Sequence, residues 1–287
     1  MRRRTAATVC RAEKPLDRSP VLCYNQGRTA AGKPLAEEVL TAMIYGETYT
    51  VRWHDTDEEN EVRPARMLEY MQETCNLQFL AAGHPLNEMH RDDHMGFLLS
   101  RIALSFDRPV HAYEEIRVET FAAESRGVSY GRCFRVTRGG EQVACATSTW
   151  ALARTDTHEM IRVSDCPVDL GAEPMLDCPV PLRFRIPQDA ALSEVGTRTV
   201  WYSDRDFNRH MNNTRYPDML CDFLPDLSAF RVRGMAISFL HEAAAGATLR
   251  IFSARDTEDP GRYWFRTLRE DGQINIEASV TLERRDA

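Results

Sequence analysis

The chain repeats itself. At a shift of 149, Trp53-His54-Asp55-Thr56-Asp57 falls on Tyr202-Ser203-Asp204-Arg205-Asp206, and in both places a polar stretch and a helical pattern follow. At a shift of 133, Ser105-Phe106 falls on Ser238-Phe239 and Ile116-Arg117-Val118 on Leu249-Arg250-Ile251; at 132, Gly140 falls on Gly272 and Ala146 on Ala278. One deletion after the helix of the second copy, and a single further residue lost near a hairpin, account for the changing shift. A duplication constrains the fold strongly, because one supersecondary pattern has to bury its apolar surface twice over.

Each copy reads as strand, polar loop, helix and then a run of strands. Leu68, Met71, Cys75, Phe79 and Ala82 follow helical spacing, with Gly83 and Pro85 as the stop. Ile116, Val118 and Thr120 alternate, Tyr130, Phe134 and Val136 keep one parity, and Arg138-Gly139-Gly140-Glu141 supplies a hairpin turn. The second copy has Arg269-Glu270-Asp271-Gly272 at the equivalent turn and a strand ending near Leu282. The pattern predicts an α+β fold in which an antiparallel sheet wraps one long helix in each half. Five prolines between Asp156 and Thr197 mark a connector, giving repeats over residues 43–155 and 198–287 and a linker over 156–197.

Composition excludes several classes. A net charge of −7 argues against general nucleic-acid binding, and no apolar run approaches the length a membrane helix needs. Eight cysteines without a CxxC pair point to reduced thiols in the cytoplasm, with no metal or other cofactor. His84, His90 and His94 with Asp92 and Asp93 form the sharpest metal-like cluster, but their place after Gly83 and Pro85 predicts a solvated loop. Residues 1–42 are arginine-rich without an apolar core and are expected to be a disordered extension, or to precede a true start at Met43.

Chemistry concentrates in the second copy, in Ser203-Asp-Arg-Asp-Phe-Asn-Arg-His-Met-Asn-Asn213 ahead of the helix. In an extended segment Asp206, Asn208 and His210 share a face, so a carboxylate, an amide and an imidazole are expected to point into one cleft. Such a set can serve a hydrolysis: a base for water, donors that hold a carbonyl, and stabilisation of an oxyanion. The N-terminus of the following helix, with Asn212, Asn213 and Thr214, is the candidate oxyanion site; Pro217 in its first turn favours Thr214 as the cap. A lone Asp-x-Asn-x-His more often merely shapes a turn, with Asn212 as a helix cap. Its confinement to one repeat, with Glu242 in the matching downstream strand, favours catalysis.

This string, with Tyr216 after it and Phe239-Leu240-His241-Glu242 downstream, resembles the acyl-acyl carrier protein thioesterases over roughly residues 44 to 285. The resemblance implies a tandem hot-dog fold, which the element pattern reaches independently, and hydrolysis of fatty acyl-acyl carrier protein to free fatty acid. It implies that Asp206 is the catalytic carboxylate, that Asn208 and His210 position water or thioester, and that Glu242 is a second carboxylate. A cysteine discussed for the family beside that glutamate is Ala243 here, so a thiol cannot be required at that position.

The first copy has Asp57, Glu59 and Glu61 where the second has Asp206, Asn208 and His210, and Pro109 in place of Glu242. It is expected to lack chemistry and to shape an acyl tunnel, with Trp53, Met67, Met71, Phe79 and Leu98 as candidate lining. The acidic carrier protein is the expected partner, with Arg205, Arg209, Arg215, Arg231 and Arg233 as docking candidates. An acyl-CoA thioesterase and a non-enzymatic acyl-binding module are the alternatives. Two fused repeats already supply the pairing that single-repeat chains achieve as dimers, and a homodimer of whole chains stays compatible with the sequence.

Overall fold

The computed structural model describes residues 44–285, so the expected extension over residues 1–42 lies outside them. The first half runs β1 (Ile44–Thr50), α1 (Pro64–Ala81), α2 (Leu86–Asp92), β2 (Met95–Phe106), β3 (Glu115–Arg126), β4 (Ser129–Arg138) and β5 (Glu141–Arg154). A two-residue strand β6 (Met160–Ile161) follows. The second half runs β7 (Ser193–Thr199), α3 (Arg215–Cys221), β8 (Phe230–Phe239), β9 (Thr248–Arg255), β10 (Arg262–Leu268) and β11 (Ile274–Arg284). β7 therefore opens inside the stretch read as connector, at the place where the first offset puts the counterpart of β1.

One sheet carries both halves, in the order β1-β3-β4-β5-β2-β8-β11-β10-β9-β7, with β6 beside β5. The order is palindromic. Each strand of the first half has its repeat counterpart at the mirrored place, and the halves meet where β2 pairs antiparallel with β8.

Helix α1 forms because Leu68, Met71, Cys75 and Phe79 return every three or four residues, with Met67 beside the same stripe, and all are buried. Pro64 opens it, where its missing N–H has no intrahelical partner. Gly83, at φ +80°, closes it, with the His84 N–H on Phe79 O at 2.9 Å. The expectation of a long helix in each half fails for the second. α3 has seven residues against eighteen in α1. The stretch missing from the second copy comes out of the helix and the α2 segment that follows it.

A second correction concerns α2. Residues 86–92 are helical, not loop. Pro85 ends one helix and precedes the next, and Leu86 and Met89, one turn apart, pack on the core. Among the described residues no group of three or more His, Cys, Asp or Glu side chains is placed to hold a metal ion, and no helix is long and apolar enough to cross a membrane.

Candidate active site

The segment from Arg205 to Met211 is a tight turn and not the extended run the sequence suggests. Arg205 and Met211 pair as a bridge; the Asp206 N–H donates to His210 O and the Arg209 N–H to Asp206 O, both at 3.0 Å, with Arg209 at φ +66°. Asp206 Oδ1 accepts the Asn208 N–H at 2.8 Å. The carboxylate therefore shapes the turn with one oxygen, and its other oxygen makes no hydrogen bond among the described residues. Asp57 shapes the first-half turn with one oxygen in the same way, accepting from Glu59 N at 3.0 Å and Glu61 N at 2.9 Å, with Asn60 at φ +61° where Arg209 stands in the second; its other oxygen, unlike that of Asp206, accepts from Arg285.

The turn sorts the expected residues into two groups. Asp206, Asn208, Asn212 and Asn213 line a cavity of about 880 Å³. His210 does not. It bridges Ala244, while Met211 N–H bonds Ala243 O at 2.9 Å, and its Nδ1 lies 3.1 Å from Glu242 Oε2. Glu242 is more than half exposed, so of the two carboxylates Asp206 is the one that opens on the cavity.

Thr214 is the N-cap of α3, the position that Pro217 favoured. Its N–H and Oγ1–H both donate to Asn212 Oδ1, at 2.9 and 2.8 Å, so neither is free for an oxyanion. The Asn213 N–H has no hydrogen-bond partner among the described residues, nor does the Asn212 side-chain amide nitrogen.

Sequence reasoning missed the buried support. Asn275 is fully buried and donates from Nδ2 to Tyr216 Oη at 3.0 Å and to His241 O at 2.5 Å, while Thr267 Oγ1–H donates to its Oδ1 at 2.9 Å. Burial pushes the Tyr216 hydroxyl up to about 12, the Asn275 hydrogen bond opposes this, and the nearby charges of Glu242 and Asp206 add to it. Residue type carried no signal, because Asn275 shares the parity of the polar Glu277, Ser279 and Thr281 and is buried where the β10–β11 register shifts between Thr267 and Leu268.

The cavity lies mostly in the first half, between α1, α2, β2, β4 and the segment 163–172. Of the expected tunnel residues, Phe79 lines it, packed on Phe97, which packs in turn on Tyr130. The other four do not. Met67 and Met71 are fully buried in the core on other faces of α1. Leu98 alternates with Phe97 along β2 and so turns away. Trp53 is exposed and stacks on Tyr113. Phe207, from the second half, closes edge-on over His90 of α2 at 4.8 Å.

The symmetry-related place is a smaller cavity of about 380 Å³ lined by Asp57, Glu61 and Asp218. Arg285 reaches Asp57 at 3.1 Å and Glu61 at 2.5 Å, and Arg231 lies 3.7 Å from Glu61. Basic side chains thus occupy the position that stays open beside Asp206.

Fold and site together define a double hot-dog protein whose larger open cavity is served by a polar cluster from the opposite half. Two family models match it: the acyl-ACP thioesterase N-terminal domain over residues 42–169 and the acyl-ACP thioesterase C-terminal domain over residues 188–284. The chain belongs to the acyl-ACP thioesterase family, whose members are thioester hydrolases.

Solved structures agree on the fold. An acyl-ACP thioesterase from Bacteroides thetaiotaomicron is 20% identical with a TM-score of 0.70, over 86% of this chain and 99% of that one. A putative oleoyl thioesterase from Lactobacillus plantarum is 19% identical with a TM-score of 0.70, over 85% and 97%. A 12:0-ACP thioesterase from Umbellularia californica is 14% identical with a TM-score of 0.72, over 85% and 98%. No curated protein matches the chain.

Proposed function

We propose that the chain hydrolyses fatty acyl-acyl carrier protein with Asp206 as general base. The observation that carries this is the placement of Asp206 and Asn208 on an 880 Å³ cavity lined by side chains such as Phe79, Phe97 and Trp150. The unbonded oxygen of Asp206 takes a proton from water as the water attacks the thioester carbon. The Asn208 amide and the free Asn213 N–H are the donors for the oxygen that becomes negative. Collapse breaks the C–S bond, and the proton held by Asp206 leaves with the thiol. His210, tied to Glu242 through Nδ1 and to Asp206 through the backbone, fixes the turn that aims the carboxylate.

Docking of the acidic carrier falls to Arg205 and Arg209, which have no ion pair among the described residues. Arg215, Arg231 and Arg233 are engaged by Glu69, Glu283 and Asp107 respectively. The six described cysteines are free thiols, which suits a reducing cytoplasm.

The test measures free thiol release from octanoyl- and palmitoyl-acyl carrier protein. Asp206→Asn should cost about 10²- to 10⁴-fold in kcat, the span expected for loss of a general base, with an unchanged melting temperature. Retention of full rate would reject the assignment. A preference for CoA esters would keep the chemistry and change the carrier.

A further inference from the structure

Arg132 is a cation inside the acyl cavity without a counter-charge. It sits on β4 between Tyr130 and Phe134, at the parity that faces α1, and is 7% exposed. Its Nη1 donates to Gln78 Oε1 at 2.7 Å and to Thr120 Oγ1 at 3.0 Å, and its guanidinium lies 5.5 Å from the centre of the Phe79 ring. Both acceptors are neutral. No carboxylate of the described residues forms an ion pair with it, and Nε and Nη2 make no hydrogen bond to them, although the residue lines the cavity. Of the two acids lining the cavity, Asp206 belongs to the catalytic turn, and Asp169 accepts the Gly171 N–H at 2.9 Å.

A desolvated charge held only by two neutral oxygens and a ring is costly to keep. Two unused donors of a guanidinium make the fork that carboxylates fit. A purely hydrocarbon chain would leave those donors unpaired.

Position adds the rest. Gln72, Asn76 and Asn212 line both this cavity and the adjoining polar groove, which marks the end next to the catalytic turn. Gln78, which holds Arg132, lies further along α1 than both Asn76 and Gln72, by about 3 and 9 Å at the rise of an α-helix. Arg132 is therefore set back from the thioester position along the cavity.

We infer that the cavity accepts acyl chains bearing an oxygen function away from the thioester, a carboxylate or a hydroxyl, with Arg132 as the binding residue for that oxygen. This deepens the hydrolase reading and rests on it.

The test compares carrier-protein thioesters of three chains of equal length: octanoyl, 8-hydroxyoctanoyl and 7-carboxyheptanoyl. In the unmodified protein one of the oxygenated chains should exceed octanoyl in kcat/KM by at least about tenfold, because a site with unpaired donors rejects the analogue that lacks the acceptor. Arg132→Met should erase that preference, and Arg132→Lys should retain part of it for the carboxylate alone. Which oxygenated chain leads identifies the chemical class. Preference for octanoyl by the unmodified protein overturns the inference without need of any variant, as does a preference that survives in Arg132→Met. If no ester is turned over, the hydrolase reading fails separately. Calorimetric binding of suberate, 8-hydroxyoctanoate and octanoate to the unmodified protein then decides the role of Arg132, with tighter octanoate binding rejecting it.

Discussion

Ala103 of β2 pairs with Ala236 of β8, its own counterpart in the second repeat. The pairs around it are reciprocal: Ser105 lies opposite Gly234, and Arg101 opposite Ser238, which corresponds to Ser105. A pseudo-twofold axis therefore passes through the alanine pair. It generates two equivalent places for a site, each made from the turn of one half and the helix of the other. The shortened α3 and the salt-bridged Arg285 leave a small, charged place at one of them; the full-length α1 leaves a large cavity at the other.

The alanine pair is buried, at 0% and 1% exposure, so added volume there has nowhere to go. Ala103→Val and Ala236→Val should each destabilise by about 1–3 kcal/mol. Because the two residues face each other across the strand pair, the double variant should depart from the sum of the singles. Chemical denaturation of all four proteins measures this, and strict additivity would speak against direct contact across the axis.

Arg285 is 13% exposed and answers Asp57 and Glu61, both from the other half. Arg285→Met would leave two part-buried carboxylates without their nearest cation. The loss should be about 1–3 kcal/mol, below the roughly 3–5 kcal/mol of a fully buried pair because all three groups keep some solvent. The melting temperature should fall by several degrees while turnover stays unchanged, since the ion pairs lie at the smaller cavity, away from Asp206. A large loss of turnover at full stability would place the smaller cavity in the reaction.

Tyr216 supplies a pH test. Its folded-state pKa is raised to about 12 from an ordinary value near 10, chiefly by burial. A raised pKa means that its contribution to stability is complete below about 10 and is lost as pH rises toward 12. Tyr216→Phe has no such titration but strands one donor of Asn275, at a cost of about 1–3 kcal/mol. The stability advantage of the unmodified protein over this variant should therefore be full at pH 8 and shrink between pH 10 and 12. A constant difference across that range would show that the hydroxyl ionises as freely as in the unfolded chain.

Much of this architecture is legible in the sequence. The repeat offsets place β1 on β7 and β2 on β8, because strand length and parity survive divergence when both faces of a strand must pack. Asp206 and Asn208 are legible from residue type at the start of the helix. What fails is local. The turn at Asp206 is written in Asp206 and Asn208, residue types that shape turns, but it is lost when alternate residues are taken to share one face of an extended segment; Arg209 adopts its positive φ without a glycine to mark it. Helix length in the second half is hidden because an offset places a deletion without saying which turns are lost. The tunnel lining fails because Met67, Met71 and Phe79 share helical spacing, and only the direction of each side chain separates cavity from core. Arg132 escapes notice between Tyr130 and Phe134 because a charge at a core parity breaks the pattern instead of making one.

The arginines make the last prediction. Arg205 and Arg209 flank Asp206 and keep their charge unpaired among the described residues, while Tyr202 and Phe207 add exposed aromatic surface beside them. Such a rim acts mainly on the association rate with an acidic partner and fades as salt screens it. Arg205→Glu with Arg209→Glu should raise KM for octanoyl-acyl carrier protein several-fold at low ionic strength, with kcat little changed and the difference reduced in high salt. Octanoyl-N-acetylcysteamine, a neutral thioester without the carrier, should be hydrolysed at the same kcat/KM by both proteins. Equal loss on both esters would mean that the substitutions disturb the Asp206 turn itself. No loss on either would move the docking surface elsewhere.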